Sequence, residues 1–410
     1  MALIVQKYGG TSVADLAKIK RVAKKIGKYS KDGNQVVVVV SAMAGETDRL
    51  LHMADSLSGE PPQRELDLLL SSGERISSAL LAISLRSSGV DALSFTGRQV
   101  GILTDSAHFK ARIKKIDAKR ITETLESGAV PVIAGFQGIN ENGDVTTMGR
   151  GGSDLSAVAI ASALQAEECL VFKDDVDGVY TSDPSVVPSA RKLPWVSYEE
   201  MLEMSGTGAK VLHSRAVEVA AKYDVRLRVL STFGRGEGTL ITREEKGMEK
   251  EVITGVVADK NQAKITICSV PDRPGIASDI FGRIAEKNVL VDMIIQNVSE
   301  NNKTDISLTV PTVEAKTAFN VVKEIAKDIK AGSVEMDAGI SKISIIGVGM
   351  KSHSGVAAKM FKVLAEKGIN IMMISTSEIR ISCVIKAEAL KEAARLLHDA
   401  FHLERKRVKL

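Results

Sequence analysis

Thr147-Met148-Gly149-Arg150-Gly151-Gly152-Ser153-Asp154 sets three glycines, a cation and a carboxylate directly ahead of an apolar segment. Leu155, Val158, Ala159, Ser162 and Leu164 recur at the spacing of one buried helix face, with Ser153 or Asp154 as the capping side chain. Glycines before a helix permit positive φ and close backbone approach, so several N–H groups can converge on an anion at the positive end of the helix dipole. The stretch reads as an anion-binding turn, with a plain glycine turn and a surface arginine as the alternative. A second loop favours the first reading. Lys7-Tyr8-Gly9-Gly10-Thr11-Ser12 follows the short strand Leu3-Ile4-Val5 and precedes a helix with Leu16, Ile19, Val22, Ala23 and Ile26 on one face. Neither loop has the Walker or the dinucleotide glycine spacing, so both common phosphate-loop patterns fail.

Between and around these loops, apolar strands alternate with amphipathic helices up to about Arg243, the pattern of an α/β domain with a largely parallel sheet. Val36 to Val40 are consecutive valines, as in a strand buried on both faces. That strand empties into Ser41-Ala42-Met43-Ala44-Gly45-Glu46-Thr47, and ligands of open α/β sheets gather at the carboxyl ends of strands, so Ser41 and Thr47 are candidate contacts. Glu74, in Ser71-Ser72-Gly73-Glu74, reads by itself as a first-turn helix carboxylate. The strand Ala129 to Ala134 delivers Gly135-Phe136-Gln137-Gly138. After the strand Cys169 to Phe172 comes Lys173-Asp174-Asp175-Val176-Asp177-Gly178-Val179-Tyr180-Thr181-Ser182-Asp183-Pro184, an aspartate-rich loop able to hold a cation or a ribose but without calcium-hand spacing. Gly206-Thr207-Gly208-Ala209-Lys210 is expected to open another helix, and Arg243 to Glu251 reads as a charged linker.

The remainder is an internal repeat. Ile265 to Val270, Pro274-Gly275-Ile276-Ala277, Phe281 and Ala285-Glu286-Lys287 recur as Ile343 to Val348, Ser354-Gly355-Val356-Ala357, Phe361 and Ala365-Glu366-Lys367, at an offset of 80 residues from Gly275 to Gly355. Each copy reads strand, glycine turn, helix, strand (Val289 to Ile295; Ile369 to Ile374), then strand and helix. Two copies are too few for a solenoid and read as twin α+β modules side by side. Gly347 to Ser352 lacks the third glycine of a dinucleotide loop, and His398 with His402 lacks a third metal ligand nearby, which points to a solvated face.

Composition bounds the class. A chain of 410 residues suggests two or three domains, and a net charge of +4 is far from a nucleic-acid-binding excess. The basic tail Arg405 to Lys409 reads as solvated charge. Cys169, Cys268 and Cys383 lie far apart in apolar runs, against a disulfide framework or zinc site and in keeping with a reducing cytoplasm. No apolar run is expected to span a membrane, and no signal-peptide pattern is read at the N-terminus.

With Lys7 to Ser12, Ser71 to Glu74, Gly149 to Asp154 and Asp175-Val176-Asp177-Gly178-Val179-Tyr180 assembled, the chain resembles the aspartokinases of the amino acid kinase family. The repeats resemble their paired ACT domains, including Gln296-Asn297-Val298 and Ser375-Thr376-Ser377-Glu378-Ile379. The resemblance covers essentially the whole chain. It implies a three-layer α/β kinase domain over residues 1–245, a linker and possible added strand over 246–262, and ferredoxin-like ACT domains over 263–338 and 339–410. It implies ATP- and Mg²⁺-dependent phosphorylation of the β-carboxylate of L-aspartate, the first step toward lysine, threonine and methionine. Lys7 and Asp154 would be catalytic, and Ser41, Thr47, Glu74, Arg150, Gly151, Gly152 and Ser153 would hold aspartate. Arg150 would grip the α-carboxylate bidentately and Glu74 the α-ammonium. Lys7, Tyr8, Gly9, Gly10, Asp174, Asp175, Tyr180, Asp183, Pro184, Ser185 and Lys210 would serve the nucleotide, the amides of Gly9 and Gly10 facing phosphates. Mg²⁺ would be held chiefly by phosphates, with no protein ligand assigned. Two departures stand out: Asp174 occupies a place where the family has Thr or Ser, and Ser185 one where it has Arg.

The ACT resemblance implies feedback inhibition by lysine, threonine or both, with contacts from Asp272, Ala277, Asp292, Gln296, Asn370, Ile371, Ser377 and Glu378. It also implies a homo-oligomer joined through these modules; some relatives have a separate regulatory subunit, for which Met248 is a candidate internal start that the sequence leaves open. A glutamate kinase, the nearest alternative enzyme, would not carry the twin module. A catalytically silent amino-acid sensor would not need intact Lys7, Glu74, Arg150 and Asp154.

Overall fold

A computed structural model describes residues 2–243, 252–287, 289–297 and 302–405. Met248, most of the run Arg243 to Glu251, Val298 and residues 406–409 of the basic tail lie outside the described residues. The chain divides into two compact units: residues 1–179, 192–205 and 210–247 in one, and 180–191, 206–209 and 248–410 in the other.

The first unit carries strands β1 (Leu3–Tyr8), β2 (Gln35–Val40), β3 (Ala92–Phe95), β4 (Ile102–Thr104), β5 (Ile113–Ile116), β6 (Val130–Ala134), β7 (Gln137–Ile139), β8 (Val145–Thr147), β9 (Glu168–Lys173), β10 (Trp195–Ser197), β11 (Leu227–Ser231) and β12 (Thr239–Thr242). Its helices are α1 (Leu16–Lys31), α2 (Glu46–Leu57), α3 (Gln63–Leu70), α4 (Ser72–Ser87), α5 (Lys119–Glu126), α6 (Gly152–Ala163), α7 (Tyr198–Gly206) and α8 (Ser214–Tyr223). Eight strands form one sheet in the order β10-β12-β11-β9-β1-β2-β6-β3, parallel except for β11 against β12. A second sheet runs β5-β4-β7-β8 and hands the chain to the glycine turn. The valine run behaves as its sequence requires. Val36, Val38 and Val40 join the core under α1 and α4 with Ile19, Val22, Ile26, Leu81 and Leu85, while Val37 and Val39 are equally buried on the opposite face.

Several local expectations change. Residues 207–213 are turn and coil, α8 beginning only at Ser214, so Lys210 opens no helix. Glycines at 206 and 208 end a helix more readily than they start one, and Gly208 takes φ +119°. The stretch Gln63–Ser87 is long and apolar enough, by length and composition, to cross a membrane. Half of it is buried within the unit, and it holds Asp67 and Glu74 in the interior, so it serves as a core helix pair.

The second unit has β13 (Gly255–Pro271), β14 (Ile294–Gln296), β15 (Lys303–Pro311), β16 (Val334–Ile346), β17 (Met373–Thr376) and β18 (Arg380–Lys386), with α9 (Ile276–Glu286), α10 (Ala315–Asp328), α11 (Val356–Glu366) and α12 (Leu390–Ala400). The two repeats share one antiparallel sheet, β14-β15-β13-β16-β18-β17, in which β13 and β16 run through both copies. Residues 255–258 pair with Ile343 to Ile346, so the chain just before the first repeat extends the sheet of the second. The strands expected from Val289 and from Ile369 start later, at Ile294 and Met373.

His398 is buried rather than solvated. Its Nε2 lies 2.9 Å from Thr181 Oγ1, and α12 also donates from Arg395 Nε to Val186 O at 2.9 Å. The segment Tyr180–Arg191 is thereby part of this unit, with Val187 in the core beside Leu390 and Leu397.

Lys342 is 2% exposed and forms an ion pair with Asp292. Removing one partner of such a pair strands the other charge, at about 3 kcal/mol. Lys342→Ala is therefore expected to lower the urea midpoint of the second unit, and Lys342→Met combined with Asp292→Asn to restore most of it. Circular dichroism melts check this, and an unchanged midpoint for Lys342→Ala would remove the pair from the stability account.

Candidate active site

Four neighbouring parallel strands, β9, β1, β2 and β6, end on one side of the first unit, and their carboxyl ends supply Lys173, Lys7, Ser41 and Gly135. The helix α6 meets them with its N-terminus, which is where the first loop pattern placed an anion. Lys7 Nζ lies 2.5 Å from Asp154 Oδ1, and Lys173 Nζ lies 3.5 Å from Asp154 Oδ2. Lys7 and Asp154 are both buried. Burial lowers the Lys7 pKa, offset in part by Asp154. Burial would raise the Asp154 carboxyl, but the ammonium groups of Lys7 and Lys173 outweigh it and hold the group below its ordinary value. The cluster carries two cations and one anion, a net positive site at the positive end of a helix.

The glycine turn is built by close approach. Gly149 and Gly151 take φ +74° and +76°, and a Cβ on Gly151 would sit 2.3 Å from His213 Cβ. Gly151, not Ser153 or Asp154, is the N-cap, because the αL conformation at that position starts the helix at Gly152. Ser153 and Asp154 thus lie in the first turn, buried, and free of capping duty. Arg150 is exposed at the tip of the turn.

Ala42 stands between the two halves of the site. Its carbonyl oxygen would be 2.8 Å from a Cβ on Gly10, and its N–H donates to Glu74 Oε1 at 3.0 Å. The other carboxylate oxygen, Glu74 Oε2, is buried without a hydrogen-bond partner among the described residues. Burial pushes the Glu74 pKa up to about 7, against the lowering effect of the Ala42 and own-backbone N–H groups and of Lys7. Ser41 is held through its carbonyl, which accepts from Ser77 Oγ at 2.7 Å, and Thr47 sits in the first turn of α2.

Two sequence assignments lose their geometry. The Tyr8 side chain is fully buried, stacked on Phe172 at 4.8 Å and donating to Gln6 Oε1, so its ring packs the core. The Gly9 N–H donates to Phe172 O at 3.2 Å, which leaves Gly10 as the glycine amide of that pair available to a phosphate. Among the remaining positions, Asp174 pairs with Lys18 at 2.6 Å, while Asp175 and Lys210 are exposed. Asp183, Pro184 and Ser185 are exposed in the second unit, where Asp183 Oδ1 accepts from Ser185 N and Oγ, and Tyr180 belongs to the same segment.

Sequence reasoning missed the supports. Asp67 on α3 is fully buried and accepts from Thr147 Oγ1 at 2.5 Å and from Phe109 N at 3.1 Å, with His108 Nδ1 at 2.7 Å. Arg215 donates to Met148 O at 2.7 Å and Ala111 O at 2.8 Å. Lys173 was visible in the sequence only as the residue ahead of the aspartates, and Lys18 only as a helix lysine. No spacing rule links any of these to the glycine turn.

The geometry is accompanied by full-length similarity. Residues 2–231 match the amino acid kinase family, and residues 264–330 and 343–401 each match the ACT domain. An aspartate kinase of Stutzerimonas stutzeri is 53% identical over 98% of both chains. Among solved structures, Escherichia coli aspartokinase III with aspartate and ADP aligns over 97% of this chain and 99% of its own at 27% identity and a TM-score of 0.80. The same enzyme with lysine and aspartate aligns over 97% and 99% at 26% identity and a TM-score of 0.77. With identity at that level over nearly the whole length, the chain belongs to the aspartokinases, the aspartate kinases of the amino acid kinase family, and carries two ACT domains.

Proposed function

We propose that the chain transfers the γ-phosphoryl group of ATP to the β-carboxylate of L-aspartate, with Lys7, Asp154 and Lys173 at the phosphates and Glu74 and Arg150 on the amino acid. The observation that carries this reading is a cluster of two ammonium groups, one buried and one partly buried, beside a buried carboxylate oxygen, Glu74 Oε2, that has no hydrogen-bond partner among the described residues. An α-ammonium group supplies the partner that Glu74 Oε2 lacks. Arg150, exposed at the tip of the turn, has the planar fork for the α-carboxylate. Ser41, Thr47 and Ser153 complete the pocket.

In the reaction an oxygen of the β-carboxylate attacks the γ-phosphorus while its bond to the ADP oxygen breaks. The carboxylate is already a nucleophile, so no general base is needed. The protein's work is alignment and charge stabilisation. Lys7 and Lys173 neutralise charge spreading over the phosphoryl oxygens, and Asp154 holds both ammonium groups in place at the head of α6. The Gly10 amide adds a neutral donor. Both Asp154 oxygens already face lysines, which fits a Mg²⁺ ion carried by the nucleotide phosphates better than one bound directly to this carboxylate. When bound, that ion neutralises phosphate charge. Within the first unit, Asp174, Asp175 and Lys210 remain the proposed nucleotide contacts.

Feedback control by lysine, threonine or both is assigned to the second unit. A cavity of about 420 Å³ lies against Asp272, Ala277 and Gln296, with Arg273 also on its wall, offering a carboxylate, a cation and an amide to an amino acid. Asp292 is spoken for by Lys342 and drops out as a free contact. Asn370, Ile371, Ser377 and Glu378 are the corresponding proposal in the second repeat, where Glu378 pairs with Lys351 at 3.3 Å. Exposed Ile294 and Ile374, at the two edge strands and 80 residues apart, support association of copies through this unit. An effector inhibits only by binding the less active arrangement more tightly. An aspartate kinase assay titrated with lysine and threonine, singly and together, tests the whole reading.

Arg150→Ala is expected to raise the aspartate KM by about 10- to 100-fold with a smaller effect on kcat, as the loss of a charge pair to substrate predicts. Steady-state kinetics check this, and an unchanged KM removes Arg150 from the pocket. Glu74 must be ionised to pair with an ammonium group, so kcat/KM for aspartate is expected to fall as pH drops through about 7, and Glu74→Gln to abolish that limb. The folded pKa is raised above that of the unfolded chain, so the native state binds the extra proton, and the group's contribution to stability declines as pH rises toward 7. Glu74→Gln, which keeps the acceptor for Ala42, should therefore melt higher at pH 8, by about 2 kcal/mol in stability. A lower melting temperature for that variant would contradict the burial cost.

A further inference from the structure

A concavity of about 350 Å³ on the first unit gathers Arg64, Arg75 and Arg98 with Thr96, Gln137 and Asp144 on its wall. Three arginines and one aspartate are on its wall. Arg64 Nε is satisfied by Asp144 Oδ1 at 2.8 Å, and its Nη1 by Glu65 at 2.5 Å. Arg75 is half-buried and has only neutral partners among the described residues, Ser71 Oγ at 3.1 Å and Gln137 Oε1 at 3.4 Å. Arg98 makes no side-chain hydrogen bond or ion pair among the described residues. Like charges lining one cavity repel, and a half-buried cation without a counter-charge gives up hydration for neutral hydrogen bonds alone.

The cavity is separate from the reaction site. Arg75 follows Glu74 on α4, and adjacent helix residues do not face each other. Glu74 turns to Ala42, whereas Arg75 turns to Ser71 and Gln137. Gln137 ties the same place from below, its Nε2 donating to Ser71 O at 2.9 Å.

We propose that this cavity binds a small polyanion, a molecule carrying two or more carboxylate or phosphate groups, with Arg98 and Arg75 as its principal charge partners. Planar guanidinium forks match both groups bidentately, and a second anionic group on the same molecule serves the second arginine. The inference is independent of the assignment of aspartate and ATP.

Isothermal titration of the full chain with tricarballylate, in low salt and with aspartate and MgADP saturating, tests it. The expected result is saturable binding of one tricarballylate per chain, at least about tenfold weaker in Arg98→Ala and in Arg75→Gln, with inorganic phosphate binding more weakly than tricarballylate. Arg98 is exposed and has no side-chain partner among the described residues, so its replacement leaves the fold intact, as circular dichroism will verify. Absence of saturable binding, or an affinity in both variants equal to that of the unaltered chain, overturns the proposal.

Discussion

Two lysines and one aspartate, Lys7, Lys173 and Asp154, are brought together at the head of α6, and the rest of the first unit is arranged around the cost of doing so. A buried ammonium group is unstable without a counter-charge, and a buried carboxylate without hydrogen bonds is no better. Each lysine ends a parallel strand and the aspartate lies in the first turn of a helix, so three rigid elements fix the geometry. On the proposed reading, the imbalance of one positive charge suits the place to a phosphoryl group.

That arrangement depends in turn on a turn that only glycine can make. A side chain at Gly151 would run into His213, and one at Gly152 would meet Phe136 Cδ2 at 2.8 Å. The turn is held from outside by Asp67 and Arg215, which fix Thr147, Met148 and Phe109 through a buried carboxylate and a guanidinium shared between two carbonyls. The cluster at the head of α6 is therefore placed by groups that lie outside it.

The parts legible in the sequence were those whose signal is local. Both glycine loops, the buried valine strand and the repeat at an offset of 80 residues declare themselves by spacing, and so does Asp154 by following the turn. What was missed depends on residues distant along the chain. Asp67 and Thr147 are 80 positions apart, and His398 and Thr181 are 217 apart. Tyr8 sits in the middle of a ligand loop pattern, yet strand alternation turns its ring inward onto Phe172. The helix expected at Lys210 failed for a local reason, since glycine on both sides of Thr207 breaks a helix as readily as it caps one.

The second unit carries a long bent sheet common to both repeats, and it holds the segment Tyr180–Arg191 through His398, Arg395 and the apolar contact of Val187. On the proposed reading, however, the chemistry rests on the lysine pair. The rate of aspartyl phosphate formation by Lys7→Met at saturating MgATP, recorded with its aspartate KM, tests that claim most directly. A fall in kcat of about 10³-fold with KM within about threefold is the predicted result. A kcat within about tenfold of the unaltered chain would mean that the phosphoryl charge is met elsewhere.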